Sequence, residues 1–211
     1  MSLLTVPDAD ERGDLGSFIG RVVRLDQAAT VRLCAARGTV TAWATTPFEV
    51  LATRTVHGTL DPDDVTAPAS VLLTALSVER AATVDTGVGG LWPGQLPPAE
   101  GWKPVDDVPA AELEALTERG LTVARENAGP MGPPASLLDQ TVLTVTDASG
   151  GPVAVKVPLR CLFALSGMGF LGSGSADDAV RVSATGSWMR LDARYGAVVR
   201  RRLTALPLLL S

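Results

Sequence analysis

Apolar residues recur at helical spacing in four stretches of the chain. The first begins at Asp14, a residue suited to cap a helix, and its apolar side chains fall on one side of the predicted helix. The other three begin beside Pro68, Pro109 and Pro158, and proline is favoured in the first turn of a helix. These patterns predict about four helices, at residues 15–25, 68–78, 110–127 and 159–171.

Elsewhere, β-branched and apolar residues occur in paired runs separated by short turns that contain glycine. Such pairs are typical of β-hairpins. Three hairpins are predicted: residues 30–36 with 39–45, 141–146 with 153–157, and 180–185 with 188–192. A further strand is predicted directly after Pro47. Because hairpins pair their strands antiparallel, the sequence predicts an α+β fold made of antiparallel β-hairpins and helices.

Glycine and proline concentrate between residues 84 and 108, which indicates a linker. The same segment contains Trp92 and Trp102, and such large aromatic side chains favour burial, so we expect the linker to pack against a folded lobe. The predicted organisation is an N-terminal lobe at 1–83, a packed linker at 84–108 and a C-terminal lobe at 109–211, arranged as two lobes or as one compact domain.

Each lobe contains a hairpin followed by a proline and an apolar run, as a comparison of residues 31–51 with residues 142–162 shows. Few positions are identical, and a proline after a hairpin is a common local pattern. Two interpretations therefore stay open: two similar lobes that arose by duplication, or a coincidence of local sequence.

The side chains that carry most enzyme chemistry are scarce. The chain has one histidine, His57, one tyrosine, Tyr195, and two cysteines, Cys34 and Cys161, which match no metal-binding spacing. The string Gly167–Gly172 matches GxGxxG but follows a predicted helix, which favours a helix end over a dinucleotide site. We therefore predict no catalytic residue, cofactor or metal. The alternative is an enzyme with a His57/Cys161 pair or a carboxylate site.

Positive charge gathers towards the end of the sequence. The chain carries a net charge of −5, yet residues 181–211 hold six arginines against Asp192 as their one acidic residue. On a strand at 188–192, alternate side chains share one face, so a tryptophan lies beside an arginine, as in many contact surfaces. The predicted binding surface comprises Trp188, Arg190, Asp192, Arg194, Tyr195, Arg200, Arg201 and Arg202.

These observations favour a non-catalytic binding or assembly protein that uses the surface near residues 181–202 and whose partner is itself or another protein. The apolar run from Leu203 to Leu210 is too short to span a membrane and should dock onto the core or onto another subunit, which favours a homo-oligomer. Nucleic-acid binding through the C-terminal arginines is the alternative, although the net charge opposes it.

The composition and the first residues also bear on the source and location of the protein. The sequence begins without the pattern of a secretory signal, which predicts a cytoplasmic protein with no membrane partner. Arginine far exceeds lysine, and alanine, valine and glycine are abundant. We therefore expect a bacterial source with a GC-rich genome, such as an actinobacterium.

Overall fold

The computed structural model describes residues 1–78, 81–87, 89–130, 132–147, 153–172 and 178–202. Within these residues lie five helices: α1 (Ala9–Leu25), α2 (Ala69–Val78), α3 (Ala110–Glu126), α4 (Ala135–Leu138) and α5 (Leu159–Gly167). In the described ranges, none of these helices is both long and apolar enough to cross a membrane.

Thirteen strands accompany the helices in the described residues: β1 (Leu3–Thr5), β2 (Thr30–Ala36), β3 (Thr39–Thr45), β4 (Leu51–His57), β5 (Thr59–Asp61), β6 (Asp64–Pro68), β7 (Thr83–Asp85), β8 (Lys103–Pro109), β9 (Thr141–Thr146), β10 (Ala154–Pro158), β11 (Ala179–Ala184), β12 (Trp188–Ala193) and β13 (Gly196–Arg201). Their pairings are antiparallel. The predicted fold class is confirmed.

Eight strands form one central sheet in the order β6-β2-β3-β4-β13-β12-β11-β8. Its halves mirror each other about the β4–β13 pair, because β2-β3-β4 form one three-stranded meander and β11-β12-β13 form the other. In each half, one helix (α1 or α5) precedes the meander and an edge strand (β6 or β8) leads into another helix (α2 or α3). The two halves thus share an architecture, although its parts follow in a different order along the chain. In the N-terminal half the helix and meander come before the edge strand and its helix, and in the C-terminal half they come after them.

The hairpins that match in the sequence do not match in the fold. Residues 30–45 lie in the central sheet as β2 and β3, whereas residues 141–158 form β9 and β10, a separate two-stranded sheet. The structural counterpart of β2–β3 is β11–β12. The correspondence between residues 31–51 and 142–162, on which the duplication interpretation rested, is therefore not found in the fold, because a hairpin pattern reports local pairing and not the sheet that the hairpin joins.

Helix α1 begins at Ala9, five residues before the predicted N-cap. The side chain of Asp8 caps it by accepting hydrogen bonds of 2.9 Å from the main-chain N–H groups of Asp10 and Glu11. These two acidic residues also lie in the first turn, where negative charge interacts favourably with the helix dipole. Immediately before the helix, β1 pairs with β5 and β7 in a third, three-stranded sheet.

Strand β13 was not among the predicted elements, because its arginine run hides the alternation that precedes it. Val198 packs in the main hydrophobic cluster, whereas Val199 belongs to a separate tryptophan cluster on the other side of the sheet. The two side chains therefore point to opposite faces, as in any strand. The predicted docking segment, Leu203–Leu210, lies outside the described residues.

The helices cover one face of the central sheet, which we call the inner face. Buried side chains of β2, β3, β4, β11, β12 and β13 pack there against α1, α2 and α5 in one cluster. Phe18 of α1 stacks on Phe170 with ring centroids 6.3 Å apart, and both are 2% exposed. Burial of this apolar surface is the main source of stability for the fold.

Residues 89–102, which we call the strap, lie against the opposite, outer face. Trp92, Leu96 and Trp102 of the strap pack on Trp43, Trp188 and Val199 of the sheet. Both tryptophans of the predicted linker thus pack against the sheet. Residues 103–108, which composition places in the linker, form most of edge strand β8.

Arg160 fastens the two halves together on the inner side. It is 3% exposed and donates hydrogen bonds to Asp139 (2.8 Å), to the carbonyl of Phe48 (2.8 Å) and to Glu49 (2.9 Å). Arg200 of β13 also donates to Asp139, at 3.2 Å. The hydrogen bond from Arg160 is the main reason that the pKa of Asp139 lies below its ordinary value.

The backbone around Gly58 leaves no room for a side chain. A Cβ atom there would lie 2.3 Å from the carbonyl oxygen of Thr5, whereas a Cβ atom at Gly16 in α1 would meet nothing within 4 Å. We expect Gly58→Ala to lower the free energy of unfolding by about 2 kcal/mol, because β1 must shift. Gly16→Ala should raise it by about 0.5–1 kcal/mol through helix propensity. Urea denaturation measures both changes, and a Gly58→Ala variant as stable as the parent would contradict the packing.

The Glu11–His57 pair links α1 to β4 and predicts a pH dependence. His57 Nδ1 lies 2.7 Å from Glu11 Oε1, and this hydrogen bond raises the pKa of His57 above its ordinary value of 6.5. Because the folded-state pKa exceeds that of the unfolded chain, the pair stabilises the fold below the unfolded pKa, and this contribution is lost as pH rises through the folded pKa.

An NMR titration of the one imidazole should therefore give a midpoint above 6.5. We expect Glu11→Gln to return the midpoint towards that of a free histidine. Asp10→Asn on the same helical turn serves as the control, because Asp10 makes no contact with the ring among the described residues. Equal midpoints in the parent and in Glu11→Gln would contradict the pair.

Candidate functional site

A cavity of about 500 Å³ lies between the outer face of the central sheet and the strap. We call it the strap cavity. Strand alternation brings polar side chains of five strands to its floor: Cys34, Thr41, Thr55, Ser183, Arg190 and Asp192. Its apolar walls come from the strap and from β3: Trp43, Leu96, Pro97, Pro98 and Trp102. Mixed linings of this kind, mostly apolar with a few polar groups, are typical of ligand sites.

Arg190 supplies unused hydrogen-bonding capacity to this cavity. Its Nε donates to Asp192 Oδ1 at 2.7 Å, and the two residues share a face because they are two positions apart on β12. A guanidinium has five N–H donors, and among the described residues the others of Arg190 have no partner. The side chain is 28% exposed, so it can donate to a carboxylate or a carbonyl brought into the cavity.

Two buried polar atoms on this side of the sheet also lack a hydrogen-bond partner among the described residues. They are Thr53 Oγ1 and Trp92 Nε1. Thr53 is paired across the strands with Trp43, and Trp92 packs on the cluster that contains Trp43. An unpaired buried polar atom costs about 1–3 kcal/mol, so such atoms often mark places where another molecule completes the bonding.

The remaining polar side chains of the floor are uncharged. Thr41 and Thr55 share a hydrogen bond between their hydroxyls at 3.0 Å. Burial raises the pKa of Cys34, whose Sγ lies 3.9 Å from Asp64, so its thiol stays protonated near neutral pH. Arg32 holds Asp64 with two hydrogen bonds, of 2.9 and 2.6 Å, and keeps the pKa of that carboxyl low. The floor therefore offers recognition groups and no activated nucleophile.

Trp188, a member of the predicted binding surface, is buried. Trp188 is 8% exposed, because the strap packs against it and the guanidinium of Arg201 lies 5.3 Å from its ring centre. Arg201 also donates to Gln95 of the strap. These contacts fasten the strap instead of leaving an open aromatic surface.

The other members of the predicted binding surface are dispersed. Arg194 pairs with Asp178 at 3.3 Å and lies 5.6 Å from the ring centre of Tyr195, in the turn between β12 and β13. Arg200 faces the inner side, where Asp139 accepts its hydrogen bond. Arg202 donates to the carbonyls of Thr185 and Ala154. Of the eight predicted residues, Arg190 and Asp192 line the strap cavity.

The predicted His57/Cys161 pair is also wrong. Cys161 is 1% exposed within the main core, and burial raises its pKa to about 12, so it cannot serve as an accessible nucleophile. His57 is exposed and hydrogen-bonded to Glu11. In the described ranges, no three histidine, cysteine or carboxylate side chains are grouped to hold a metal ion.

The glycine string at 167–172 begins at the end of a helix. Gly167 is the last residue of α5, and Gly169 has a φ of +60°, a left-handed conformation that often follows a helix. The structure thus gives these glycines the local role of a helix end; the residues that follow, 173–177, lie outside the described residues.

The contribution of Trp43 was missed. Trp43 lies two positions after Thr41 on β3, so the alternation already put both on one face, and a tryptophan among small residues was the available signal. Nothing local to β3 identifies Trp102 as its neighbour, because the strap brings Trp102 there from about 60 residues away by tertiary packing.

Solved structures with this fold are bacterial DNA polymerase sliding clamps. Residues covering 98% of this chain superpose on 67% of the clamp from Caulobacter crescentus (TM-score 0.61, 13% identity) and on 65% of that from Bacillus subtilis (TM-score 0.60, 13% identity). The clamp subunit from Thermotoga maritima gives a TM-score of 0.56 at 12% identity, with 98% and 65% of the two chains covered. The chain thus spans about two thirds of the length of these proteins, and the likeness shows the fold alone.

Two family models match consecutive parts of the chain, and the boundary between the matched parts lies within the strap. No curated protein matches the sequence at a significant level. Residues 1–92 match the family described as Domain of unknown function (DUF8010). Residues 97–205, which are 109 of the 211 residues, match Domain of unknown function (DUF8185). The chain therefore belongs to the DUF8185 family, and it has the fold of the sliding clamps.

Proposed function

We propose that this chain is a non-catalytic binding and assembly protein that holds a short segment of a partner protein in the strap cavity. The observation that carries the proposal is the pairing of tryptophan walls with an incompletely used guanidinium in one cavity of about 500 Å³. A peptide offers both parts of the matching chemistry, since apolar side chains pack on Trp43 and Trp102 while a carbonyl or carboxylate accepts from Arg190.

The size and position of the cavity support a peptide over a larger surface contact. Sites of about 300–1,000 Å³ accommodate groups the size of a few residues. The floor of the cavity is a face of the central sheet, and the edge strands of that sheet lie elsewhere. Recognition would therefore rest on side-chain contacts and not on the addition of a strand to the sheet.

Charge pairing supports a protein partner over nucleic acid. Three of the arginines expected to contact phosphates have acidic partners: Arg190 with Asp192, Arg194 with Asp178, and Arg200 with Asp139. The long helices provide no positive surface either, since α1 carries three acidic and three basic residues and α3 carries four glutamates and two arginines. Binding to a polyanion requires uncompensated positive charge.

Self-association forms the second part of the proposal, and the edge of β9 is the best-suited surface for it. The sequence of β9, TVLTVT, contains neither proline nor charge, and β10 is its one strand partner among the described residues. Such an edge can pair with a strand of another molecule. Edge strand β8 is blocked by contrast, because Pro104 and Pro109 lack N–H groups and Asp106 and Asp107 add charge.

Peptides selected on the parent protein from a displayed random library test the strap cavity. We expect the selected peptides to bind Arg190→Gln at least about tenfold more weakly, because a charge-assisted hydrogen bond is lost. Thr41→Phe, which narrows the cavity, should weaken binding by a similar factor. Isothermal titration calorimetry with two or three selected sequences measures both effects.

The matched control is Arg181→Gln on the same face of the sheet. Arg181 pairs with Asp107 and does not line the cavity, so this variant should keep the parent affinity. Peptides that bind all three variants equally would contradict the proposal, provided that circular dichroism shows each variant folded.

Sedimentation velocity over a concentration series tests the β9 edge. Thr144 is exposed at the middle of β9, and Thr144→Lys puts a charge beside any strand added there. We expect it to weaken self-association roughly tenfold or more. Thr122→Lys adds the same charge at an exposed position of helix α3 and should leave association unchanged. A parent protein that remains monomeric, or a Thr144→Lys variant that associates like the parent, would refute this part of the proposal.

A further inference from the structure

A second cavity, of about 390 Å³, opens between α3 and α5 on the inner side of the molecule. We call it the helix pocket. Its walls come from the second half of α3, from the end of α5 and from the loops that contain Phe48 and Pro133. A cavity of this volume lies within the range of small-molecule sites.

The interior of the helix pocket is lined by apolar side chains. Phe48 and Phe163 form one wall as an edge-to-face pair with centroids 5.9 Å apart. Ala124 and Phe163 are 4% and 5% exposed and belong to a hydrophobic cluster of their own. Thr117 is also buried, and its hydroxyl donates to the carbonyl of Leu113 at 2.6 Å, so it has no proton left for a ligand. The interior therefore favours an apolar group.

Polar side chains lie at the mouth of the pocket. Arg125 and Ser166 are exposed residues that line it, and neither side chain forms a hydrogen bond or an ion pair with the described residues. Arg125 is the one charged residue among those that line the pocket in the described chain. A guanidinium with unused donors binds a carboxylate well. The pocket thus combines an apolar interior with a positive mouth.

Arginines offset the helix dipoles near the mouth. The last turns of α3 and α5 line the pocket, and the C-terminal end of a helix carries partial negative charge. At the end of α5, Arg24 donates to the carbonyl of Gly167 at 3.4 Å. Arg21 donates to the carbonyl of Met168 at 2.9 Å. In the last turn of α3 the compensating charge is Arg125 itself. No acidic side chain lines the pocket in the described residues.

The wall formed by Phe48 is held in place from outside the pocket. Buried Arg160 donates to the carbonyl of Phe48 at 2.8 Å and to the carboxylate of Glu49 at 2.9 Å. Glu49 has a φ of +56°, a conformation that is uncommon for a residue with a side chain. Its ion pair with Arg160 stabilises this turn and compensates the charge of Glu49. The wall is therefore preformed, as in most ligand sites.

We propose that the helix pocket binds a medium-chain aliphatic carboxylate, with the chain against Phe48 and Phe163 and the carboxylate at Arg125. At about 30 Å³ for each non-hydrogen atom, as in liquid water, the cavity holds roughly thirteen such atoms. A neutral ligand leaves the guanidinium without a partner, and a short anion leaves the apolar walls uncovered. The inference is independent of the strap cavity, which lies on the opposite face of the central sheet.

Isothermal titration calorimetry of the full-length protein with octanoate, octanol and butyrate tests the proposal. We expect octanoate to bind saturably below its micelle concentration. Octanol and butyrate should bind at least about tenfold more weakly, because octanol lacks the charge and butyrate lacks most of the chain. Arg125→Gln should lower the affinity for octanoate to that for octanol and leave the affinity for octanol unchanged. Arg119→Gln is the matched control, because Arg119 is exposed on the same helix and does not line the pocket.

Two further variants assign the binding to this pocket. Ala124→Leu fills the pocket and should abolish octanoate binding, whereas Arg190→Gln in the strap cavity should leave it unchanged. The proposal is overturned if the parent protein does not bind octanoate or binds octanol equally well. It is also overturned if Arg125→Gln and Arg119→Gln, both shown to be folded by circular dichroism, bind octanoate with the same affinity.

Discussion

The pairing of β4 with β13 is the constraint on which the rest of this structure depends. It joins two three-stranded meanders into one sheet of eight strands, through the register Ala197 with Thr53, Val198 with Ala52 and Val199 with Leu51. Three residue pairs are few for such a junction. The alanines at positions 52 and 197 are small and buried, so the layers that pack on the two strands can approach them closely. The inner face of the pair contributes to the main core, while its outer face lies in the tryptophan cluster under the strap.

Each face of that junction is secured by a different interaction. On the inner side, buried Arg160 binds both the turn that precedes β4 and the acid that β13 also contacts. The guanidinium of Arg160 is buried although its acidic partners are exposed, so losing these partners would leave a buried charge uncompensated. This arginine therefore holds the halves in register. On the outer side, the strap connects the two matched family regions and packs its tryptophans over the same strands. The linker thereby becomes a wall of a cavity.

The sequence predicted the elements whose signals are local. Hairpin β2–β3 was predicted at its observed bounds, and α3 was predicted correctly after Pro109, because alternation, a tight turn and proline act over a few residues. The short strands β1, β5 and β7 have three residues each and depend on each other for pairing, so no local pattern identifies them. The site shows the same limit: alternation placed Arg190 and Asp192 on one face, but only tertiary packing brings the strap over them and buries Trp188.

The distribution of charge explains why the C-terminal arginines looked like a binding surface in the sequence and do not form one in the fold. An excess of arginine over 30 residues is visible along the chain, whereas its acidic partners come from distant segments: Asp178, Asp139 and Asp107 lie on other elements. The fold uses these guanidinium groups to connect strands, turns and helices, and the carboxylates compensate the positive charge of Arg181, Arg194 and Arg200. Arg190 is different because its acidic partner is two residues away and occupies Nε alone, so its free donors remain beside the strap. An arginine therefore keeps free donors where its ion pair is local, and not where arginines are most numerous.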